Sequence, residues 1–308
     1  MPKDLNDEQM AKRTFQSVEA VQEAFVRQNY IADRPLALTV MLAAQLNKPI
    51  LLEGEAGVGK TDVAKVVARA LNTELVRLQC YEGLDAQSTI YEWNYAKQIL
   101  AIRMAEAGKQ EGALEHTIFS EEFLLPRPLL RAIRHHSGGP ATLLIDEVDR
   151  ADEEFEAFLL EVLSDFQVTV PELGTFVATQ PPFVVLTSNR TRELNDALKR
   201  RCLYLWIDYP PPSKEREIVV RKVPGISDEL AQQICDLMST LRKIDFYKRP
   251  GVAETLDWAR ALIGLKVSRV EPAMLQETAG CLLKYKDDIE RLNSIGGARL
   301  LSGDIPEN

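Results

Sequence analysis

One stretch constrains what the whole chain can become: Pro49-Ile50-Leu51-Leu52-Glu53-Gly54-Glu55-Ala56-Gly57-Val58-Gly59-Lys60-Thr61. Ile50-Leu51-Leu52 is a short apolar run that reads as a buried strand, while Val63, Val66, Val67, Ala70 and Leu71 recur at helical spacing. Between strand and helix stand a glycine, four residues and then Gly59-Lys60-Thr61, the spacing of a phosphate-binding loop. Glycines let successive backbone N–H groups turn inward around a polyphosphate, and the start of the following helix adds the positive end of its dipole. On this reading Gly54, Glu55, Ala56, Gly57, Val58, Gly59, Lys60, Thr61 and Asp62 surround a nucleotide. The Lys60 ammonium reaches the β- and γ-phosphates and the Thr61 hydroxyl holds Mg²⁺. A glycine-rich turn that merely joins strand to helix is the competing reading; the correct element on each side counts against it.

A second motif ends in acid. Thr142-Leu143-Leu144-Ile145 is an apolar run of the kind found in central parallel strands, and Asp146-Glu147 follow it. Two carboxylates at a strand end suit metal and water chemistry: Asp146 completes the Mg²⁺ shell and Glu147 polarises the attacking water. The alternative is an acidic helix start, with Asp149 or Asp152 capping a helix whose core face is Phe155, Phe158, Leu159, Val162 and Leu163. Phe183 to Thr187 is a further buried strand leading into Ser188-Asn189-Arg190. Asn189 either hydrogen-bonds the γ-phosphate or the attacking water, or serves as a turn residue. Asp196 to Cys202 reads as a short helix ending in Lys199, Arg200 and Arg201. Those cations either compensate the helix dipole or deliver an arginine finger to a neighbouring subunit.

The remaining chain supplies a frame. Residues 1–14 read as a flexible arm, followed by an amphipathic helix ending near Asn29 and a second helix capped by Asp33 with Pro35 in its first turn. Glu74 to Gln79 is a strand, and Cys80 to Tyr95 is a polar and aromatic insertion in which Tyr91, Trp93 and Tyr95 alternate along one face. That face touches a partner or stacks within its own subunit. Ala96 to Ala107 is helical, Gly108 to Glu115 a surface loop and Phe123 to Pro128 an ordered turn. Leu129 to His135 is a helix closed by Ser137-Gly138-Gly139-Pro140. Residues 166–170 and 175–178 alternate around Pro171-Glu172-Leu173-Gly174, a hairpin signature, and 203–207 is the next strand. Pro210-Pro211-Pro212 marks a boundary, because proline suits neither a helix interior nor a ladder. Beyond it helices are expected over 213–222, 227–244, 253–266 and 272–284, then a frayed tail. The expected division is therefore an arm over 1–14, an α/β nucleotide-binding domain over 15–209, a helical lid over 210–290 and a tail over 291–308.

A net charge of −9 and a pI near 5.1 argue against a protein that lives by attraction to phosphate backbones, so no nucleic acid is expected as a partner. Cys80, Cys202, Cys235 and Cys281 have no paired spacing and read as reduced packing residues. No apolar run approaches the length of a membrane span, and the polar first residues are unlike a signal peptide, so the expected compartment is the cytoplasm.

Taken in order, these parts resemble the AAA+ ATPases, and more narrowly the MoxR group. Cys80-Tyr81-Glu82-Gly83-Leu84-Asp85, Tyr91-Glu92-Trp93-Asn94-Tyr95, the run Leu198 to Tyr204 and Pro250-Gly251-Val252-Ala253-Glu254-Thr255 look like its branch associated with carbon monoxide dehydrogenase maturation. The resemblance covers about residues 15–290. It implies a parallel sheet flanked by helices followed by a small all-α lid, with ATP and Mg²⁺ as cofactors. It makes Lys60 and Thr61 the Walker A pair, Asp146 and Glu147 the Walker B pair, Asn189 the first sensor and Arg201 the finger, with Arg200 the second choice. It also places Tyr30 and Ile31 beside the adenine. In one place the chain departs: members of the group often carry Gly-Ala-Ser-Pro-Arg in the lid, and here Thr255 falls where that arginine would be, leaving Arg249 or Arg260 as substitutes. The family further implies an ATP-hydrolysing hexameric ring. It works with a von Willebrand A-type adaptor to remodel a client metalloenzyme or insert its metal. A slow nucleotide-gated assembly switch and a DNA-directed motor are the other readings.

Overall fold

The carboxyl ends of three buried strands carry the motifs just described, and the sheet is built so that those ends share one rim. The computed structural model describes residues 10–108, 118–135 and 140–304. Its strands are β1 (Ile50–Gly54), β2 (Leu75–Gln79), β3 (Tyr91–Trp93), β4 (Leu124–Pro126), β5 (Thr142–Asp146), β6 (Gln167–Val170), β7 (Gly174–Val177), β8 (Phe183–Ser188) and β9 (Leu203–Ile207). Five of them form one sheet in the order β2-β5-β8-β1-β9, with β2, β5, β8 and β1 paired in parallel. β1, β5 and β8 are buried at every position, which is why they read as continuous apolar runs and not as alternating ones. The register sets Glu53 opposite Ser188 and Gln79 opposite Asp146. This is the α/β fold of P-loop nucleotide-binding proteins, with helices flanking a parallel sheet and a helical region after it.

Chain contacts divide the molecule into two compact units. The first comprises Met1–Gln28, Ala32–Glu53 and Thr61–Trp206, and it holds the sheet. One core cluster runs from Leu51 and Leu143 on the strands to Phe155 and Leu159 on the helix Glu153–Asp165. Another joins Trp93, Phe123, Leu130, Val162 and Val170, where the ribbons β3-β4 and β6-β7 pack. The second unit comprises Asn29–Ile31, Gly54–Lys60 and Ile207–Asn308. Its core is built on the helices Asp228–Leu241 and Val252–Gly264, with Ile234, Met238, Leu241, Trp258 and Leu262 buried at helical spacing. The Trp258 indole N–H donates to the Thr278 hydroxyl at 2.8 Å, so this large side chain is buried without leaving its one donor orphaned.

Several expectations fail for identifiable reasons. Met10–Thr14, expected as part of the loose arm, is a turn of helix, and Phe15 behind it is fully buried with its ring edge-on to Phe25 and Phe183. Of the expected tail, residues 305–308 lie outside the described residues, and much of the rest is structured: Lys286–Ile295 and Gly297–Ser302 are helices whose Leu292 and Leu300 join the core. Two anchors eight residues apart, separated by Gly296 at φ 88°, leave no periodic signal. The single helix expected over 272–284 breaks at Thr278, whose hydroxyl donates to the Met274 carbonyl and accepts from the Trp258 indole N–H. Tyr91 and Trp93 are buried and stack within their own subunit. Tyr95 leaves that face to begin the helix Tyr95–Gly108 in an exposed position. The expected turn at 123–128 contains β4, the partner of β3. Residues 1–9 of the expected arm, all of the expected loop 108–115 except Gly108, and Ser137-Gly138-Gly139 lie outside the described residues.

Candidate nucleotide site

In the sheet unit, Asp146 gathers the polar groups of three elements. Its Oδ1 accepts from the Thr61 hydroxyl at 3.0 Å and from the Thr187 hydroxyl at 2.6 Å. Its Oδ2 accepts from Arg77 Nε at 3.1 Å and Nη2 at 2.5 Å. Thr187 in turn accepts from the backbone N–H of Glu147 at 2.9 Å, so one hydroxyl at the end of β8 fixes both members of the acid pair. Glu147 lies in the left-handed region at φ 56°, which swings its side chain off the strand, and its carboxylate meets Arg150 at 2.8 Å. The competing capping role is real but falls to a different residue: Asp152 accepts from the Phe155 N–H and starts the helix Glu153–Asp165. Asp149, also buried, accepts from the backbone N–H groups of Asn189 and Thr191 and from the Thr191 hydroxyl. Asn189 is thus held by its backbone at the end of β8, half-buried, beside the acid pair's own turn.

The cations of the helix Asp196–Arg201 differ from one another. Arg201 donates to the Ser164 hydroxyl of the same chain, whereas Arg200 is exposed and makes no hydrogen bond or ion pair among the described residues. The helix itself is placed by its Asn195 cap, whose backbone N–H donates to buried Glu156 at 2.7 Å; Arg192 pairs with the same carboxylate. Sequence spacing gave no hint of the roles of Thr187, Asp149, Glu156 or Arg77, because each acts through partners 36 or more residues away.

In the second unit the loop Gly54–Lys60 carries its own constraints. A Cβ on Gly54 would stand 2.2 Å from the Ile207 carbonyl oxygen, so a close backbone approach requires glycine there quite apart from any ligand. Gly57, at φ 80°, accepts through its carbonyl from the Val252 N–H at 2.9 Å, at the start of the helix Val252–Gly264. A Cβ on Gly251 would fall 2.9 Å from the Gly57 backbone. Lys60 is buried and donates to the Gly54 and Glu55 carbonyls, both at 2.7 Å. Glu55 is exposed, Ala56 and Gly59 half-buried and Val58 buried, while Asp62, in the sheet unit, pairs with Lys65 one turn on. Tyr30 and Ile31, half-buried, group with this loop in the helical unit.

The lid position of Thr255 is explained by packing. Thr255 is fully buried, and its hydroxyl donates to Glu215 at 2.7 Å. Glu215 forms a two-pronged pair with Arg242 at 2.6 and 2.7 Å, and Arg242 also donates to the Pro250 carbonyl and lies over the Tyr209 ring. An arginine at 255 would have to displace this network. Of the two expected substitutes, Arg260 pairs with Asp257 on its own helix, and Arg249 is exposed and makes no hydrogen bond or ion pair among the described residues.

The donors around Asp146 fit a hard cation. They are oxygens, a carboxylate and two hydroxyls, and among the described residues no group of three or more His, Cys, Asp or Glu suits a protein-only metal cage. Mg²⁺ is usually held in this way, by one or two carboxylates with substrate phosphates and water completing the shell.

Fold and motif order define a P-loop nucleotide-binding protein. Residues 49–202 match the family described as the AAA domain, dynein-related subfamily, and the chain belongs to it. Among relatives, an uncharacterised protein of Staphylococcus haemolyticus is 29% identical over 227 residues, 71% of this chain and 77% of that one. Another from Staphylococcus epidermidis is 28% identical over 262 residues, 82% of this chain and 90% of its own. Among solved structures, a RuvB variant of Thermotoga maritima is similar with a TM-score of 0.48 and 18% identity, covering 94% of this chain and 73% of that one. The same organism's RuvB, described as a Holliday junction branch migration motor, gives 0.43 and 18%, covering 84% and 68%. No helix among the described residues is long and apolar enough to cross a membrane.

Proposed function

We propose that this chain hydrolyses ATP to ADP and phosphate as an oligomeric remodelling chaperone of the MoxR type. In this reading it forms a hexameric ring in the cytoplasm and works with a von Willebrand A-type adaptor to mature a metalloenzyme, a molybdenum hydroxylase of the carbon monoxide dehydrogenase kind being the type of client that the resemblance implies. The observation that supports hydrolysis is the convergence of the Thr61 and Thr187 hydroxyls on Asp146 with Glu147 tied to the same Thr187. Mg²⁺, when bound, neutralises charge on the phosphates. Thr61 and Asp146 hold it, Lys60 binds the phosphates, Glu147 orients water as general base, and Asn189 with Arg200 or Arg201 meets the developing charge.

The test is Glu147→Gln used as a trap. The substitution keeps shape and volume, removes the base and leaves Asp146 and Thr61 in place, so ATP should bind while turnover stalls. An ATP-bound ring retaining an adaptor and a cofactor-free metalloenzyme is the expected result, since a partner that prefers the ATP state gains affinity when that state accumulates. Client maturation by the stalled variant at wild-type yield would instead make the protein a nucleotide-gated assembly switch. Stimulation by DNA would make it a motor. A monomer with ATP bound would overturn the ring.

A further inference from the structure

Asp146, the residue assigned to Mg²⁺, already has a cation. Arg77 projects from β2 and meets Oδ2 through two donors, 3.1 and 2.5 Å away, while Thr61 and Thr187 take Oδ1. Both oxygens of a carboxylate that is only 4% accessible are therefore engaged by residues of the same chain. The neighbour is treated alike: Glu147 pairs with Arg150. Burying a carboxylate without a counter-charge is costly, and here a cation of the same chain stands against each member of the acid pair. Arginine suits the task, being permanently charged and shaped for two-pronged contact with one carboxylate. The Arg77 side chain is 53% accessible and its Nη2 also donates to the Gln79 amide oxygen at 2.5 Å. More than half of the side chain already faces water, the direction in which it would withdraw.

We propose that Arg77 is a positioning residue that stands in for Mg²⁺ on Asp146 and competes with it, so that the metal enters only together with a nucleotide whose phosphates help to hold it. The proposal rests on the nucleotide-site reading above. In the sheet unit it predicts two states of one carboxylate: paired to Arg77 at rest, and turned over to the metal when the phosphates supply the remaining ligands. A competitor of this kind lowers apparent metal affinity by the fraction of time the carboxylate is free.

The experiment measures binding of a fluorescent ADP analogue to the full chain, first in EDTA and then across a Mg²⁺ titration, for wild type, Arg77→Gln and Arg77→Lys. Removing a charged hydrogen-bonding partner should lower the Mg²⁺ concentration at half-effect by about tenfold or more in the Gln variant, with the affinity in EDTA unchanged. Lysine keeps the charge but loses the two-pronged geometry and should fall between. A Mg²⁺ midpoint within twofold of wild type in both variants would overturn the proposal, and so would a midpoint that rises. If wild type binds no nucleotide in either condition, the nucleotide-site reading itself has failed, a result distinct from normal binding with an unmoved midpoint. Should the Gln variant fail to fold, the Lys midpoint decides by itself.

Discussion

Arg200 and Arg201 are adjacent in sequence and equivalent to any reading of composition, yet their surroundings separate them. Arg201 is engaged with Ser164 of its own chain, and Arg200 is free to reach outward. We propose Arg200, the second choice that the resemblance gave, as the residue offered to a neighbour, with Arg201 the alternative. In ATPase assays Arg200→Ala should lose roughly 10³-fold, typical of a missing finger, and Arg201→Ala much less. Mixing the Arg200 variant with Lys60→Ala subunits should restore part of the turnover, because the binding-dead subunit still lends its arginine. No recovery in oligomers proven to exchange would return Arg200 to dipole compensation. Lys60→Ala alone should abolish ATP binding in calorimetry with an unchanged circular dichroism spectrum. At this scale the sequence was most readable where chemistry follows local spacing, as at Lys60-Thr61 and Asp146-Glu147. It was silent on Thr187 and Arg77, whose roles exist only because β2, β5 and β8 lie side by side.

At the scale of elements, the central strands were legible because β1, β5 and β8 are buried on both faces and leave unbroken apolar runs. Boundaries were less so wherever a side chain far away decides them, as when Trp258 claims the Thr278 hydroxyl and divides a helix. The helix Val252–Gly264 shows the same dependence at its start, where the Gly57 carbonyl takes its first N–H group. Gly251→Ala would press a methyl group into the Gly57 backbone, an overpacking that costs about 1–3 kcal/mol. It should therefore weaken ATP binding measurably despite its distance in sequence from the loop; wild-type affinity would show that the contact does not shape the loop. The pair Glu215–Arg242, with side chains 1% and 9% accessible, sets the geometry beneath this helix. Arg242→Ala leaves a buried carboxylate unpaired and should cost about 3–5 kcal/mol in urea denaturation, whereas the exposed pair Arg260–Asp257 should be worth less than about 1 kcal/mol.

Across the whole molecule, three of the four cysteines report burial. Desolvation pushes the thiols of Cys80, Cys202 and Cys235 up to about 12, and at Cys80 the nearby carboxylates of Asp146, Asp149 and Glu147 add to it. Cys281 is half-buried, so a thiol reagent at neutral pH should label it first and the others only on unfolding. The sign of the pH effect follows. With folded values raised above the unfolded value of about 8.5, the folded state binds more protons; the contribution is complete below pH 8.5 and is lost as pH climbs toward 12. Denaturation midpoints should fall from about pH 9 upward, and a flat profile to pH 10.5 would refute the burial. The family match, at 49–202, ends before the helices that complete the loop's surroundings. The loop Gly54–Lys60 groups with Ile207–Asn308 in one compact unit, and its Gly57 carbonyl waits for a helix made roughly 200 residues later. At translation speeds of about 5–20 residues per second, that is on the order of 10–40 s during which a nascent chain carries its strands but not the far wall of its loop. Nucleotide capture on the ribosome should therefore come late, only after the helix Val252–Gly264 has been made.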